Sequence, residues 1–237
     1  MTYHCDDFFT SVMRQTPGLV VDPEAPIKGG CAALYPGMLQ DAHVLVKAPL
    51  DPYLSKGMGK QSVETEIAAY KTFASCNGIV KPLATGNAVG LPYLVLPHLV
   101  PVDSLVREMD LPTTLEIKYA VISTLEEMHT KYGLAHHDTN PTNYFLDGRI
   151  PLLGDLGTVE VCNSQKRIVG GTRLFLPPEQ KQGKVLAAND VYAAGVSLFT
   201  MMACFDRSEI DSRQKISKER GVLVDDNSLV GPEQLSV

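Results

Sequence analysis

The chain changes character near Pro97, and this switch constrains the fold more than any other feature of the sequence. Before it, short β-rich runs stand between glycine and proline punctuation. His43-Val44-Leu45-Val46-Lys47, Ile79-Val80 and Pro92–Leu96 read as strands, with Gly86, Gly90 and Pro92 marking breaks. One helical pattern interrupts them: Val63, Ile67, Tyr70 and Phe73 recur at spacings of three and four, and Gly78 is expected to close that helix. Residues 50–60 read as loop, and residues 1–26 as a mixed stretch ending in an extended, proline-marked lead-in. After Pro97, Ile117, Ala120, Val121, Leu125 and Met128 write an amphipathic helix over Leu115–Tyr132, stopped by Gly133. Short strands follow around Tyr144–Leu146 and Pro151–Leu153. Val191–Met202 is apolar on nearly all sides, the mark of a helix buried in the middle of a lobe. Strands first and helices second is the order of an α+β fold with two lobes, not of an alternating doubly wound sheet.

Composition narrows the function classes. Twenty-one basic against 27 acidic residues give a net charge of −6, with no basic stripe, which argues against nucleic-acid partners that demand phosphate neutralisation. The five cysteines are scattered without a CxxC pair and read as free thiols in a reducing compartment. Cys31 has no neighbour that would activate it. The first residues have neither a basic nor an apolar leader pattern, and apolar runs fall short of the roughly 20 residues a bilayer span needs. The expectation is a soluble, cytoplasmic protein without membrane partners.

Chemistry concentrates in His136-His137-Asp138-Thr139-Asn140-Pro141-Thr142-Asn143, placed between the long helix and the two short strands, and in Gly154-Asp155-Leu156-Gly157 just beyond. His136, His137 and Asp138 lack the further ligands at fixed spacing that a zinc site requires. In order and context the two segments resemble the catalytic loop and the metal-binding DFG motif of the protein-kinase family. That resemblance implies Asp138 as the carboxylate that orients the acceptor hydroxyl, and Asn143 and Asp155 as oxygen ligands for Mg²⁺. Leu156 would replace the DFG phenylalanine as an apolar spine residue, with His136 packed beneath the loop.

Other segments extend the resemblance. Lys47 ends a strand as the family's ATP lysine does, and Glu66 on the following helix matches its glutamate partner. Glu64 lies nearly opposite on that helix, and the following Ile67 selects Glu66. Leu96 would be the gatekeeper, with backbone contacts to adenine near Pro97 and Leu99. Gly171–Glu179 is similar to the end of an activation segment, and Asp190–Leu198 to the helix whose aspartate holds the catalytic loop. Thr172 fits the threonine of serine/threonine-directed members. The resemblance spans roughly residues 27–204 and implies a bilobal fold: a strand-rich N-lobe over 1–97 and a truncated helical C-lobe over 98–237, with 206–237 reduced or partly disordered. The implied function is ATP- and Mg²⁺-dependent transfer of the γ-phosphoryl to a protein hydroxyl. Serine or threonine is the favoured acceptor.

The departures are specific. Ile27, Gly29 and Ala32 fall at the three glycine positions of the phosphate loop; only Gly29 is retained, with Gly30 beside it. Asn140 stands where protein kinases carry a lysine, which keeps two alternatives open: a small-molecule phosphotransferase, or a pseudokinase acting as a binding module. His137 replaces the arginine that pairs with an activation-segment phosphate, so activity without that phosphorylation is expected. Arg207, Arg213 and Arg220 are equal candidates to pair with the Pro-Pro-Glu glutamate. Compact size and these departures resemble effector or viral minimal kinases, leaving room for an activating partner and for a host-cytoplasm location.

Overall fold

A computed structural model describes residues 5–49, 58–165 and 171–204, with positions 208, 209 and 212 beyond. The charged tail and its candidate arginines Arg207, Arg213 and Arg220 lie outside the described residues, as does most of the 50–60 loop.

The chain opens with helix α1 (Cys5–Gln15) and strand β1 (Leu19–Val21), where the sequence pointed only to a mixed lead-in. Tertiary burial accounts for the helix. Phe8, Phe9 and Val12 are buried in a cluster with Val44, Val46, Tyr93 and Val95, on the back of an antiparallel sheet. An 11-residue helix gains little from propensity alone, so this packing is what holds it. Strands β2 (Ile27–Lys28), β3 (Ala32–Leu39) and β4 (Ala42–Pro49) follow, then helix α2 (Met58–Thr72) and strands β5 (Ala84–Ala88) and β6 (Leu91–Pro97). The sheet order is β1-β3-β4-β6-β5, with β2 also on β3. Leu19 pairs with Leu39 at one end of β3 and Ile27 with Leu34 at the other, so β1 and β2 are two pieces of one interrupted edge strand. Two prolines lie in the interruption at 22–26, where an Asx turn from Asp22 Oδ1 to the Glu24 N–H bends the chain.

The helical half begins after β7 (Val100–Pro101). Helix α3 (Leu111–Tyr132) is capped by Asp110, whose Oδ1 accepts from the Thr113 N–H at 2.9 Å, and ends at Gly133, as expected, with φ 65°. The cap sets its start four residues before the apolar pattern does. Then come β8 (Leu134–Ala135), β9 (Tyr144–Asp147), β10 (Ile150–Leu153), β11 (Glu160–Val161), α4 (Pro178–Lys181) and α5 (Ala187–Met202). Helix α5 buries Asn189, Asp190, Ala193, Ala194 and Ser197 but exposes Val191 at 64% and Met202 at 55%. It is therefore covered on one face, not surrounded as its composition suggested.

One apolar cluster runs through both halves, joining Val63, Tyr70, Phe73 and Leu94 to Ile117, Val121, Leu125, Leu153 and Leu156. The halves are joined at residues 78–80. Leu153 N–H donates to the Gly78 carbonyl at 2.8 Å, and Val80 N–H to the Leu153 carbonyl at 3.0 Å. Ile79 forms a bridge to Leu153, not the strand the sequence suggested. Gly78 does not end α2, which stops at Thr72; it abuts Thr124 of α3, where any Cβ would collide. The architecture is α+β, helix and strand mixed around an antiparallel sheet.

Candidate active site

Two surfaces face each other across the junction of the halves. The upper one is the sheet. Lys47 sits on β4 in register with Leu94 of β6, and Glu66 lies on the buried face of α2. Lys47 Nζ stands 2.7 Å from Glu66 Oε2 and 2.8 Å from Asp155 Oδ1. Burial opposes the lysine's charge, yet the Asp155 and Glu66 carboxylates outweigh it and hold the ammonium protonated. Glu64 points elsewhere, 3.9 Å from Lys60 on the exposed side, so the choice between the two glutamates falls on Glu66. Leu96, Pro97 and Leu99 line the run out of β6, each half-buried.

The candidate phosphate loop is a tight hairpin. Gly29 N–H donates to the Ala32 carbonyl at 2.9 Å, leaving Gly30 and Cys31 at the tip. Ile27 pairs with Leu34 and Lys28 with Ala33, so Ile27 stands on β2, Ala32 opens β3 and Gly29 lies between them. Ala32 is buried in the main core cluster, and Ile27 is 56% exposed.

The lower surface is the loop from His136 to Asn143. Asp138 Oδ1 accepts from the Thr172 N–H at 2.7 Å and from Asn140 Nδ2 at 2.9 Å, and Oδ2 from Asn143 Nδ2 at 3.1 Å. Burial and the charge of nearby Asp155 push the Asp138 carboxyl above its ordinary range, against these hydrogen bonds. Asp155, at left-handed φ 54°, is pulled the other way: burial favours its neutral form, but the Lys47 ammonium holds it below its usual value. Asn140 Oδ1 accepts from the Thr142 N–H and hydroxyl, so this side chain is tied on both ends.

Beneath the loop Asp190 collects four donors. His136 N–H reaches Oδ2 at 2.7 Å, His137 N–H reaches Oδ1 at 2.8 Å, Thr139 hydroxyl reaches Oδ1 at 3.2 Å, and His129 Nε2 lies 2.8 Å from Oδ2. His136 Nε2 faces the Gly154 carbonyl at 3.0 Å while its Nδ1 accepts from the Asp138 N–H, which fixes the ring as the Nε2–H tautomer. Gln180 Nε2 donates to the His137 carbonyl at 2.8 Å, tying α4 to the same loop. His137 takes φ 68°, a left-handed conformation held by these bonds on either side of it.

Lys47, Glu66 and Asp155 thus converge, and Asp138 and Asn143 share one hydrogen-bonded cluster; Gly29 and Gly30 stand on their hairpin, and Leu96, Pro97 and Leu99 at the sheet's exit. Sequence reasoning anticipated the reach of Asp190 to the loop backbone. It missed His129, Gln180 and the hydroxyl of Tyr70, which donates to Glu66 Oε1 at 3.2 Å. Only the helical spacing of Glu66 and Tyr70 carried a signal for the last.

No family model matches the chain. Its sequence is similar to U-box domain-containing protein 33 of Arabidopsis thaliana, 25% identical over 86% of this chain and 26% of that protein. It is 31% identical to serine/threonine-protein kinase D of Synechocystis over 33% of this chain and 18% of that protein. Against the serine/threonine-protein kinase US3 homolog of bovine herpesvirus 1.2 the identity is 34%, over 48% of this chain and 24% of the other. The chain spans about a quarter, or less, of the length of these curated relatives. Together with the α+β architecture, the similarities to kinase-named proteins, at low identity and partial coverage, support a protein-kinase-like family. Among the described residues, no helix is long and apolar enough to cross a membrane.

Proposed function

We propose that the chain is an ATP- and Mg²⁺-dependent protein kinase that transfers the γ-phosphoryl to a protein serine or threonine hydroxyl. The observation that carries this reading is the double contact of Lys47 Nζ, with Glu66 at 2.7 Å and Asp155 at 2.8 Å, above the hydrogen-bonded cluster around Asp138. A buried cation fixed by two carboxylates is placed to meet the α- and β-phosphates of a nucleotide.

The oxygen atoms on offer suit a hard divalent cation. Asp155 presents a carboxylate whose side chain is 46% exposed, and Asn143, with its amide nitrogen bonded to Asp138, has its carbonyl oxygen as the remaining donor. A cation held by these two side chains would be completed by phosphate oxygens and water. When bound there, the cation would neutralise charge developing on the transferred phosphoryl. Asp138 orients the acceptor hydroxyl for in-line attack and takes its proton. Thr172, bonded through its backbone to Asp138, fits a serine/threonine acceptor; the expected independence from activation-segment phosphorylation rests on His137, which stands where the family carries the arginine that pairs with that phosphate.

The test is incubation of the pure chain with labelled ATP and magnesium, with generic basic proteins or with sugars and aminoglycosides as acceptors, beside Asp155→Ala. Label on protein that vanishes in the variant supports the reading. Label on small molecules alone would move it to a small-molecule phosphotransferase. ATP binding without transfer to any acceptor would favour the binding-module alternative that Asn140 and the reduced phosphate loop keep open.

A further inference from the structure

Glu66 and Tyr70 are one helical turn apart on α2, so both side chains fall on one face. Both are buried, Glu66 at 0% and Tyr70 at 5% exposure. Glu66 Oε2 meets Lys47 Nζ at 2.7 Å, and Oε1 accepts from the Tyr70 hydroxyl at 3.2 Å. Each carboxylate oxygen therefore has its own partner. This matters because the terminal torsion of a glutamate is broad and does not fix the carboxylate plane by itself.

The tyrosine is not explained by packing. Its ring belongs to the main core with Val63, Phe73, Leu94 and Leu156, a place that phenylalanine or leucine would fill equally well. A hydroxyl there costs desolvation unless it is hydrogen-bonded, and this one is, to one of the two acidic side chains that hold Lys47. Lys47, held by the same glutamate, also meets Asp155 Oδ1 at 2.8 Å. The phenolic oxygen thus stands at the end of a chain that runs through Glu66 and Lys47 to the Gly154-Asp155-Leu156-Gly157 segment.

We propose that Tyr70 is a positioning residue: its hydroxyl fixes the Glu66 carboxylate in the plane that aims Lys47 at a nucleotide, and through that pair couples α2 to Asp155. The functional consequence rests on the phosphoryl-transfer reading above; the coupling itself does not.

The experiment compares the full chain with Tyr70→Phe, Glu66→Gln and the double variant. Three quantities are read: melting temperature, affinity for a fluorescent ATP analogue with magnesium (and KM for ATP against kcat), and amide exchange of residues 155–158 in nucleotide-free protein. Tyr70→Phe keeps the ring, so melting should stay within about 4 °C of the parent. Nucleotide affinity should fall about tenfold, the scale of a lost hydrogen bond to a charged group. Exchange at 155–158 should quicken while α5 is unchanged, and in the Glu66→Gln background Tyr70→Phe should add nothing further. Parental affinity and exchange in Tyr70→Phe would overturn the proposal. So would an undiminished effect in the Glu66→Gln background, or a large melting loss with exchange quickened equally in α5, which marks a packing role. A parent chain that binds no nucleotide would sink the functional reading, while exchange at 155–158 in the same four proteins would still decide the coupling.

Discussion

The loop under the cleft and the hairpin over it are built by opposite means. Below, Asp138 and Asp190 each collect several donors at 2.7–3.2 Å, drawn from the loop itself, from α3 and from the segment around Thr172. Above, the hairpin at Gly30-Cys31 is closed by the Gly29–Ala32 bond at its tip and lies at the edge of the sheet. Charge and geometry are fixed on the floor, where the proposed function has groups act on a reacting hydroxyl. The roof supplies backbone and cover, for which the identity of a residue such as Ile27 matters less. A site can keep its chemistry while the roof drifts, and the sequence departures fall accordingly: two of three glycine positions are altered, whereas Asp138, Asn143 and Asp155 are in place.

The largest test of this asymmetry is Asp138→Asn, expected to cut phosphoryl transfer about 10²–10⁴-fold with nucleotide affinity kept, as measured by steady-state kinetics. Next, Asp190→Ala strips an acceptor from two buried backbone N–H groups and His129; urea titration should show a loss of about 3–5 kcal/mol. The pH profile sharpens the comparison further. Protonated Asp138 cannot accept a proton, and burial with Asp155 nearby raises its pKa, so turnover should fall on the acid side at a higher pH than an ordinary carboxylate would give. Asn140→Ala removes a donor to the charged form and should shift that limb upward again. Smallest is the roof: Ile27→Gly should change nucleotide affinity by no more than about fivefold. A larger effect there than at Asn140 would invert the ranking.

A buried lysine outside the cleft gives an independent check on the helical half. Lys118 of α3 is 2% exposed, bonded to the Tyr144 hydroxyl at 3.1 Å, and burial lowers its pKa to about 7. The unfolded chain binds this proton up to a pH near 10.5 and the folded chain releases it from about 7 upward, so stability should rise across that window. Lys118→Met should flatten the rise and add about 1–3 kcal/mol at neutral pH, read by denaturant unfolding.

Much of this was legible in the sequence, for reasons that differ by element. Helix α3 is long, periodic and glycine-stopped, so local chemistry alone defines it. Helix α1 is not, because three apolar side chains in a short polar stretch become a helix only against the back of the sheet. The one-sided exposure of α5 was hidden because composition reports apolar content and not which neighbours cover it. In the candidate site, the resemblance pointed to Lys47, Glu66, Asp138, Asn143 and Asp155, and the structure brings Lys47, Glu66 and Asp155 together and sets Asn143 against Asp138. The supporting bonds were illegible for a physical reason: many run to or from backbone atoms, such as the Thr172 N–H and the His137 carbonyl, which any residue carries. Tyr70 was read only as an apolar member of the helical period.

The seam at Gly78 has a mechanical consequence. Two backbone bonds to Leu153 lie side by side with the close approach of Gly78 to Thr124, on a line between the sheet half and the helical half. Hydrogen bonds arranged in this way resist sliding far more than they resist twisting, so the joint behaves as a pin and not as a track. The two halves are thereby fastened at 78–80 by backbone alone, and any side chain at Gly78 would push the sheet half off α3 at Thr124.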